Sequence, residues 1–518
     1  MTDEIHRNIG TEKCPRSGVW TPVSRHWLLA IIVLGVGLRL AQYVTDRSLW
    51  CDEALLALNV LHRPTAELFE PLDYHQGAPV GFLLLEKLAT NVAGHGELAL
   101  RAFPLAFGIV GLVVFWRVAS LYVSPRAVPV AVSLFAFAGS LVYYSSETKQ
   151  YSGDVAVSVV LLWLVWRLSS RSVSTAELLG LSLGGSAAVW FSHPASFLLS
   201  GAGLALMCFA FVEHDWPYFR RLSYACGLWG LTFLACYVVS LHTLTRDQVL
   251  LDFWRNYFPP LPLWSWSNLS FLIERFFTTF SDPAGLVSIV GATIFVVGCI
   301  RLAGRNTVYF SLPALPVLTT LLGAFLHKYP LGGRFLLFLL PILFLFIGEG
   351  AIVIAEASGR LYHITRLAVL VILLMKPISA DLRTLINPSR PEDIKLAILH
   401  IQTHDRPGDV WYVYHWARYQ FWYYSEVYRV QPTRVWIGVD CGTDVACYSA
   451  DLDKLRGQPR VWVLFSHIWT GDGLQEETLF LDHLDRLGVR LDSYRSTGAR
   501  AYLYDLSKSA NAANSISR

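Results

Sequence analysis

Long apolar runs decide what this chain can fold into. A window of about 19 residues finds about eleven of them. They lie at 27–45, 102–123, 128–145, 153–168, 176–192, 195–212, 222–240, 284–300, 308–326, 334–356 and 364–379. Runs of that length read as membrane-spanning helices, although 153–168 is short and must stand upright. Composition agrees: over 518 residues the mean hydropathy is +0.42, with only 16% charged residues, which is far from an ordinary soluble domain. The first run is long and lacks a small-residue cleavage site, so it reads as a retained span rather than a signal peptide. The expectation is a polytopic α-helical membrane protein.

Charge sets an orientation. Arg16 and Arg25, Arg117 and Arg126, Arg167 and Arg171, Arg220 and Arg221, Arg301 and Arg305, and Arg360 and Arg366 all fall in loops on one side. By the positive-inside rule that side is cytoplasmic. The opposite side then receives the first loop (46–101), the link 143–152, the loop 242–282 and everything after about 380. The net charge of +3 is dispersed, and no basic aromatic patch or nucleic-acid motif appears, so nucleic acid is not an expected partner.

The polar residues of interest collect at the outer mouths of the spans. Trp50-Cys51-Asp52-Glu53 places two adjacent carboxylates where the chain leaves the bilayer, against Leu55, Leu56 and Leu58. Partial desolvation and a like-charged neighbour raise a carboxyl pKa, which suits a general base acting on a hydroxyl. The plainer alternative is that Asp52 caps a helix over Glu53–Leu61. In the same loop, Asp73-Tyr74-His75-Gln76-Gly77-Ala78-Pro79 is a fixed turn. Ala54–Leu61 and Val80–Leu88 flank it and read as amphipathic helices lying in the membrane interface.

A second constellation is Tyr143–Asp154. A helix from Glu147 would put Glu147, Gln150, Tyr151 and Asp154 on one face, with Lys149 elsewhere. The alternative is a solvated hairpin between two spans. His193, beside Pro194, reads either as a cap or as a pocket residue. The 242–282 loop, with Trp254, Tyr257, Phe258, Trp264 and Trp266, suits an interfacial belt or a lid. Arg334 follows Gly332-Gly333 at the outer end of a span, against the positive-inside trend; it either snorkels or meets an anion such as a lipid phosphate.

Beyond about Pro388 the pattern changes to short alternating pieces: Ile394–His404, Asp409–Tyr414, Val435–Val439, Val461–Phe465, Gln475–Leu487 and Ala501–Leu506. These predict a small extracytoplasmic α/β domain over 388–506, followed by a polar tail, 507–518. Cys208, Cys226, Cys236 and Cys299 lie in apolar spans as packing residues; Cys14 is cytoplasmic and Cys51 sits beside the acidic pair. Cys441 and Cys447 are spaced compatibly with a disulfide in an oxidising compartment. No Cys/His cluster has zinc spacing.

Trp50–Glu53, Asp73–Pro79, Glu97-Leu98-Ala99-Leu100-Arg101, Tyr144–Tyr151 and Gly332–Phe335 occur in that order. Together they resemble the GT-C membrane glycosyltransferases, on the bacterial family 39-like branch related to protein O-mannosyltransferases and the lipid A aminoarabinose transferase. The sequence departs from many relatives at Gly77-Ala78-Pro79, where a Pro-Pro pair is common, and at Lys149, where Arg is common. The resemblance covers about 27–380, after a cytoplasmic segment 1–26. It implies inverting transfer of a sugar from a polyprenyl-phosphate donor to a glycan, lipid or protein acceptor, on the outer face of a bacterial plasma membrane. It also implies catalytic roles for Asp52 and Glu53, phosphate binding by Lys149 and Arg334, and a substrate pocket drawing on Asp73, His75, Gln76, Glu147, Tyr151, Asp154 and His193. No cofactor is required by these residues, and a divalent metal is neither required nor excluded. The competing readings are a transporter or flippase for a lipid-linked glycan, and a structural membrane protein with a binding domain. Transporters show repeated halves with polar residues near the midplane, a pattern absent from this sequence.

Overall fold

The structure is a computed structural model that describes residues 22–260, 262, 264–468 and 474–507. The expectations for Arg16, Cys14 and most of the segments 1–26 and 507–518 lie outside the described residues. The chain divides into two compact units. One comprises residues 1–43, 77–82 and 103–387; the other comprises 44–76, 83–102 and 388–518.

The first unit is helical. Among the described residues, eight helices of the chain have the length and apolarity of a span: Arg25–Tyr43, Glu97–Tyr122, Tyr151–Leu168, Ala195–Val212, Trp216–Leu244, Ser288–Arg305, Thr307–Phe325 and Gly333–Ala357. The protein is thus a multi-pass membrane protein. The three remaining apolar runs are also helical but differ in kind. Thr175–Phe191 is 17 residues long. Tyr362–Ile386 carries Arg366, Lys376, Asp381 and Arg383 along its length. The run 128–145 is broken in two, Val128–Phe137 and Gly139–Tyr144, with extended backbone at Ala138.

That break has a cause in the first helix, Pro22–Tyr43. Arg39 is fully buried and donates to the carbonyls of Gly35, Ala136 and Phe135 at 2.9, 3.1 and 3.2 Å. A helix end leaves carbonyls without intrahelical partners. Here a buried arginine supplies the donors, and each charge stays hydrogen-bonded in an apolar setting. Elsewhere the helices approach closely through small residues. A methyl at Gly298 would run into the carbonyl of Phe346, and one at Gly350 into that of Ile294. This is how spanning helices pack when lipid offers no hydrophobic gain.

The second unit is α/β. Among the described residues its five strands are β1 (Val410–Val413), β2 (Arg434–Ile437), β3 (Val461–Ser466), β4 (Val489–Ser496) and β5 (Ala499–Asp505), in the order β2-β1-β3-β5-β4. β2, β1 and β3 are parallel, and β5 and β4 complete the sheet antiparallel. β1 and β3 are buried along their whole length, which explains why they read as unbroken apolar runs. β4 escaped the sequence reading because it is a largely exposed, polar edge strand. The helices are Ile394–His404, Arg418–Val427, Val445–Asp453 and Glu476–Leu487. The helix Cys51–His62 of the first loop belongs here too, packed against Arg418–Val427. Its residues Ala54 to Val60 are buried in sequence, so it is a core helix and not an interfacial one.

Candidate active site

In the second unit, the helix Cys51–His62 opens with Trp50 as its N-cap. Asp52 therefore lies inside the first turn and is not the cap. Acidic residues in a first turn complement the helix dipole. Glu53 is fully buried, and Arg101 holds it with a two-pronged ion pair, Nε to Oε1 at 3.0 Å and Nη2 to Oε2 at 2.8 Å. Arg101 also donates to the carbonyl of Arg47 at 2.7 Å, and Glu53 accepts from the Trp50 N–H at 3.4 Å. The neighbouring carboxylates thus differ: Glu53 is locked, and Asp52 is half-buried.

Three further carboxylates build this corner. Glu392 accepts the N–H of Cys51 at 2.8 Å, filling one of the helix-start donors. Glu97 accepts from Lys395 and from the Tyr424 hydroxyl, both at 3.0 Å. Glu86, on the helix Val80–Ala93, is fully buried, and neither oxygen has a hydrogen-bond partner among the described residues. Burial, and then the charge of Glu53, pushes its carboxyl well above the ordinary range. Desolvation and a like charge therefore coincide at a residue the sequence reading did not single out. The signal was present, as a lone acid in a short apolar helix.

The turn between Cys51–His62 and Val80–Ala93 holds Asp73, paired to Arg63 at 3.0 Å, while the Asn59 side chain accepts the Asp73 N–H at 2.8 Å. Tyr74 and His75 adopt left-handed backbone, and the Tyr74 ring meets Tyr419 at 5.0 Å. Gln76 donates to the Tyr74 carbonyl at 3.3 Å. Asp73 is thereby a turn-fixing residue.

In the first unit the helix begins at Tyr151, with Gln150 at the cap. Residues 147–150 form a turn, with the Lys149 N–H on the Glu147 carbonyl at 2.7 Å. A common helical face running from Glu147 is therefore not formed. The turn is nonetheless no solvated hairpin: Glu147 and Thr148 are fully buried and Lys149 is 4% exposed.

Arg334 stands over two rings, with its guanidinium 5.4 Å from the centre of Tyr151 and 5.3 Å from that of Trp254. Trp254 comes from the long aromatic loop, whose Trp264 and Trp266 are instead strongly exposed. Tyr144 and Phe335 extend the aromatic wall around Tyr151. Gly332 makes the approach possible: a Cβ there would meet the Tyr257 ring at 2.5 Å, and Gly333 takes a φ of +50°. Asp154 is buried, and burial pushes the Tyr329 hydroxyl well above the phenol range. His193 is held down to about 4 by burial, so it is neutral, and its Nε2 has no hydrogen-bond partner among the described residues. Of the sequence candidates in this unit, Tyr151 and Arg334 are thus in direct contact.

Among the described residues, no group of three or more His, Cys, Asp or Glu stands close enough to hold a metal ion. The arginines assigned to the cytoplasmic side show local clustering. Arg126 pairs with Glu356 at 3.0 Å, and with Tyr362, His363 and Arg366 it lines one open cavity of about 540 Å³.

No protein-family model matches the chain, and no curated protein sequence matches it. Solved structures do match in fold. The structure is similar to ArnT from Cupriavidus metallidurans in the apo state, with a TM-score of 0.56 at 13% identity, over 93% of this chain and 98% of that one. The form of ArnT bound to undecaprenyl phosphate gives 0.54 at 12%, over 92% and 98%. The oligosaccharyltransferase of Archaeoglobus fulgidus in the apo form gives 0.55 at 12%, over 94% of this chain and 75% of that one. The chain therefore has the fold of the GT-C membrane transferases.

Proposed function

We propose that the protein is a membrane glycosyltransferase that takes a sugar from a polyprenyl-phosphate donor and passes it, with inversion, to a hydroxyl of a glycan, lipid or protein. The observation that carries this reading is the Arg334 guanidinium stacked between Tyr151 and Trp254, in a fold shared with a transferase crystallised with undecaprenyl phosphate. The aromatic faces fix the place of a guanidinium, the side chain best suited to recognising a phosphate. Lys149 adds a second positive charge.

In the reaction the acceptor oxygen attacks the anomeric carbon, the bond from that carbon to the phosphate oxygen breaks, and the lipid phosphate leaves with the electron pair. The acceptor proton passes to Asp52. Glu53, already committed to Arg101, orients the turn that carries Asp52. Glu147, Tyr151, Asp154 and His193 shape the sugar pocket, and Asp73, His75 and Gln76 fix the loop beside the base. The arginine distribution supports an active site on the outer face, in the plasma membrane of a bacterium.

The test uses purified full-length protein in lipid nanodiscs. It should consume a polyprenyl-phosphate sugar and ignore the matching nucleotide sugar. Asp52→Asn should lower turnover by roughly 10²- to 10⁴-fold, the usual worth of a positioned base, at an unchanged unfolding temperature. Efficient transfer from a nucleotide sugar with no lipid carrier present would refute the donor assignment.

A further inference from the structure

The order β2-β1-β3 contains a reversal. From β1 the chain crosses through Arg418–Val427 to β2 on one side, then returns through Val445–Asp453 to β3 on the other. In open α/β sheets, ligands bind outside the carboxyl ends of the two strands that flank such a reversal. Here those ends are Tyr414-His415-Trp416 after β1 and Ser466-His467 at the end of β3, held in register by the Tyr414 N–H on the Leu464 carbonyl at 2.9 Å.

The residues at these strand ends are not those of a plain core. His415 is 1% exposed, and neither ring nitrogen has a hydrogen-bond partner among the described residues; the nearest carboxylates, Glu476 and Asp440, stand 3.7 and 3.8 Å away. Ser466 is fully buried, and its hydroxyl likewise lacks a partner. Burial holds His415 down to about 4, so its neutral ring offers one donor and one acceptor. Buried polar atoms left without partners are costly, and their concentration at one strand end points to a polar ligand. At the rim, Trp416 is half-buried and its ring lies 5.9 Å from that of His467, which is itself bound to Glu392 at 2.5 Å.

The composition selects the ligand. Glu392, Asp440 and Glu476 outweigh Arg418, the cation whose charge bears on His415, so this end of the sheet repels phosphates and carboxylates. Carboxylates, a neutral imidazole and a hydroxyl beside an indole face match a sugar, whose hydroxyls both donate and accept and whose ring C–H face packs on aromatics. Its location matters as well. The same Glu392 that binds His467 also accepts the Cys51 N–H, and the Cys51 sulfur lies 4.0 Å from the Trp416 carbonyl. These strand ends therefore touch the residue that precedes Asp52.

We propose that the carboxyl ends of β1 and β3 form a saccharide subsite, which, if the transfer reading above holds, seats the acceptor glycan next to Asp52. Saturation-transfer NMR on the full chain in nanodiscs tests it, with methyl glucopyranoside, methyl mannopyranoside and methyl arabinopyranoside as probes. At least one glycoside should receive saturation. The signal should fall roughly tenfold in Trp416→Ala and in His467→Ala, about one hydrogen bond or stacking contact's worth. It should recover in part in Trp416→Phe and stay unchanged in the surface variant His62→Ala. Unfolding temperatures of all variants check the fold. Saturation of none of the glycosides, an equal signal in Trp416→Ala, or saturation of a serine-rich peptide instead would overturn the subsite. Glycoside binding with no consumption of a polyprenyl-phosphate sugar would support the subsite and sink the transfer reading. Donor consumption with no glycoside binding would do the reverse.

Discussion

The two arginines at the heart of the two units are held in opposite ways. Arg101 is clamped by Glu53 and by the Arg47 carbonyl, every contact an in-plane hydrogen bond, and it is 1% exposed. Arg334 is placed by the faces of Tyr151 and Trp254. The first arrangement spends the guanidinium's fork on holding the chain together. The second sets the same group against two aromatic rings. Identical side chains thus sit in a hydrogen-bonded clamp and on an aromatic wall, and the chemistry of their neighbours separates the two.

The largest effect expected from this contrast is on folding. Arg101→Ala strands the Glu53 carboxylate in a dry interior, a loss of about 3–5 kcal/mol for a broken buried pair. Denaturant or thermal unfolding in nanodiscs should show a destabilised protein, and the double variant Arg101→Met, Glu53→Leu should regain much of the loss. If Arg101→Ala folds normally and loses only turnover, the assigned roles are reversed.

Arg334→Ala should look different. Two cation–π contacts are worth about 0.5–1 kcal/mol each, so the stability loss should stay well below that of Arg101→Ala. Loss of a charge-assisted hydrogen bond to the donor phosphate, about 1.5–3 kcal/mol, should raise the KM for the lipid donor on the order of 10- to 100-fold. An unchanged donor KM would remove Arg334 from the phosphate site.

The smallest effect is on pH dependence. The folded-state pKa of Glu86 lies well above its ordinary 4.5, through burial and then through Glu53. The folded chain therefore holds that proton more tightly than the unfolded chain. The associated stability is fully present below pH 4.5 and is lost as pH rises toward the folded-state value, at up to about 1.4 kcal/mol per unit. Glu86→Gln cannot titrate, so its unfolding midpoint should decline less than the parent's as pH rises. Parallel curves would show that Glu86 finds a partner in solution.

What was legible in the sequence follows from the range of the forces involved. A bilayer imposes a length on apolar runs, so all of the runs could be read as helices. The break at Ala138 could not, because its cause is Arg39, about a hundred residues away. The acidic pair was visible as a local motif, but its division into a locked and a half-buried member depends on Arg101, 48 positions on, and on Glu392 beyond that. Of the two readings of 147–154, neither holds whole: the helix starts only at Tyr151, and the turn before it is buried, which the spacing of Glu147, Gln150, Tyr151 and Asp154 cannot reveal. Glu86 stands in no motif, and its burial depends on residues far from it in sequence.

The second unit is assembled from stretches made at very different times. Residues 44–102 leave the ribosome early, whereas 388–518 follow after roughly 285 more residues, about a quarter of a minute to a minute at 5–20 residues per second. Glu53 meets Arg101 within the early stretch, so that pair can close at once. Cys51, Ser48 and Glu97 must wait for Glu392, Asp393 and Lys395. The turn bearing Asp52 therefore takes its final form only when synthesis is nearly done.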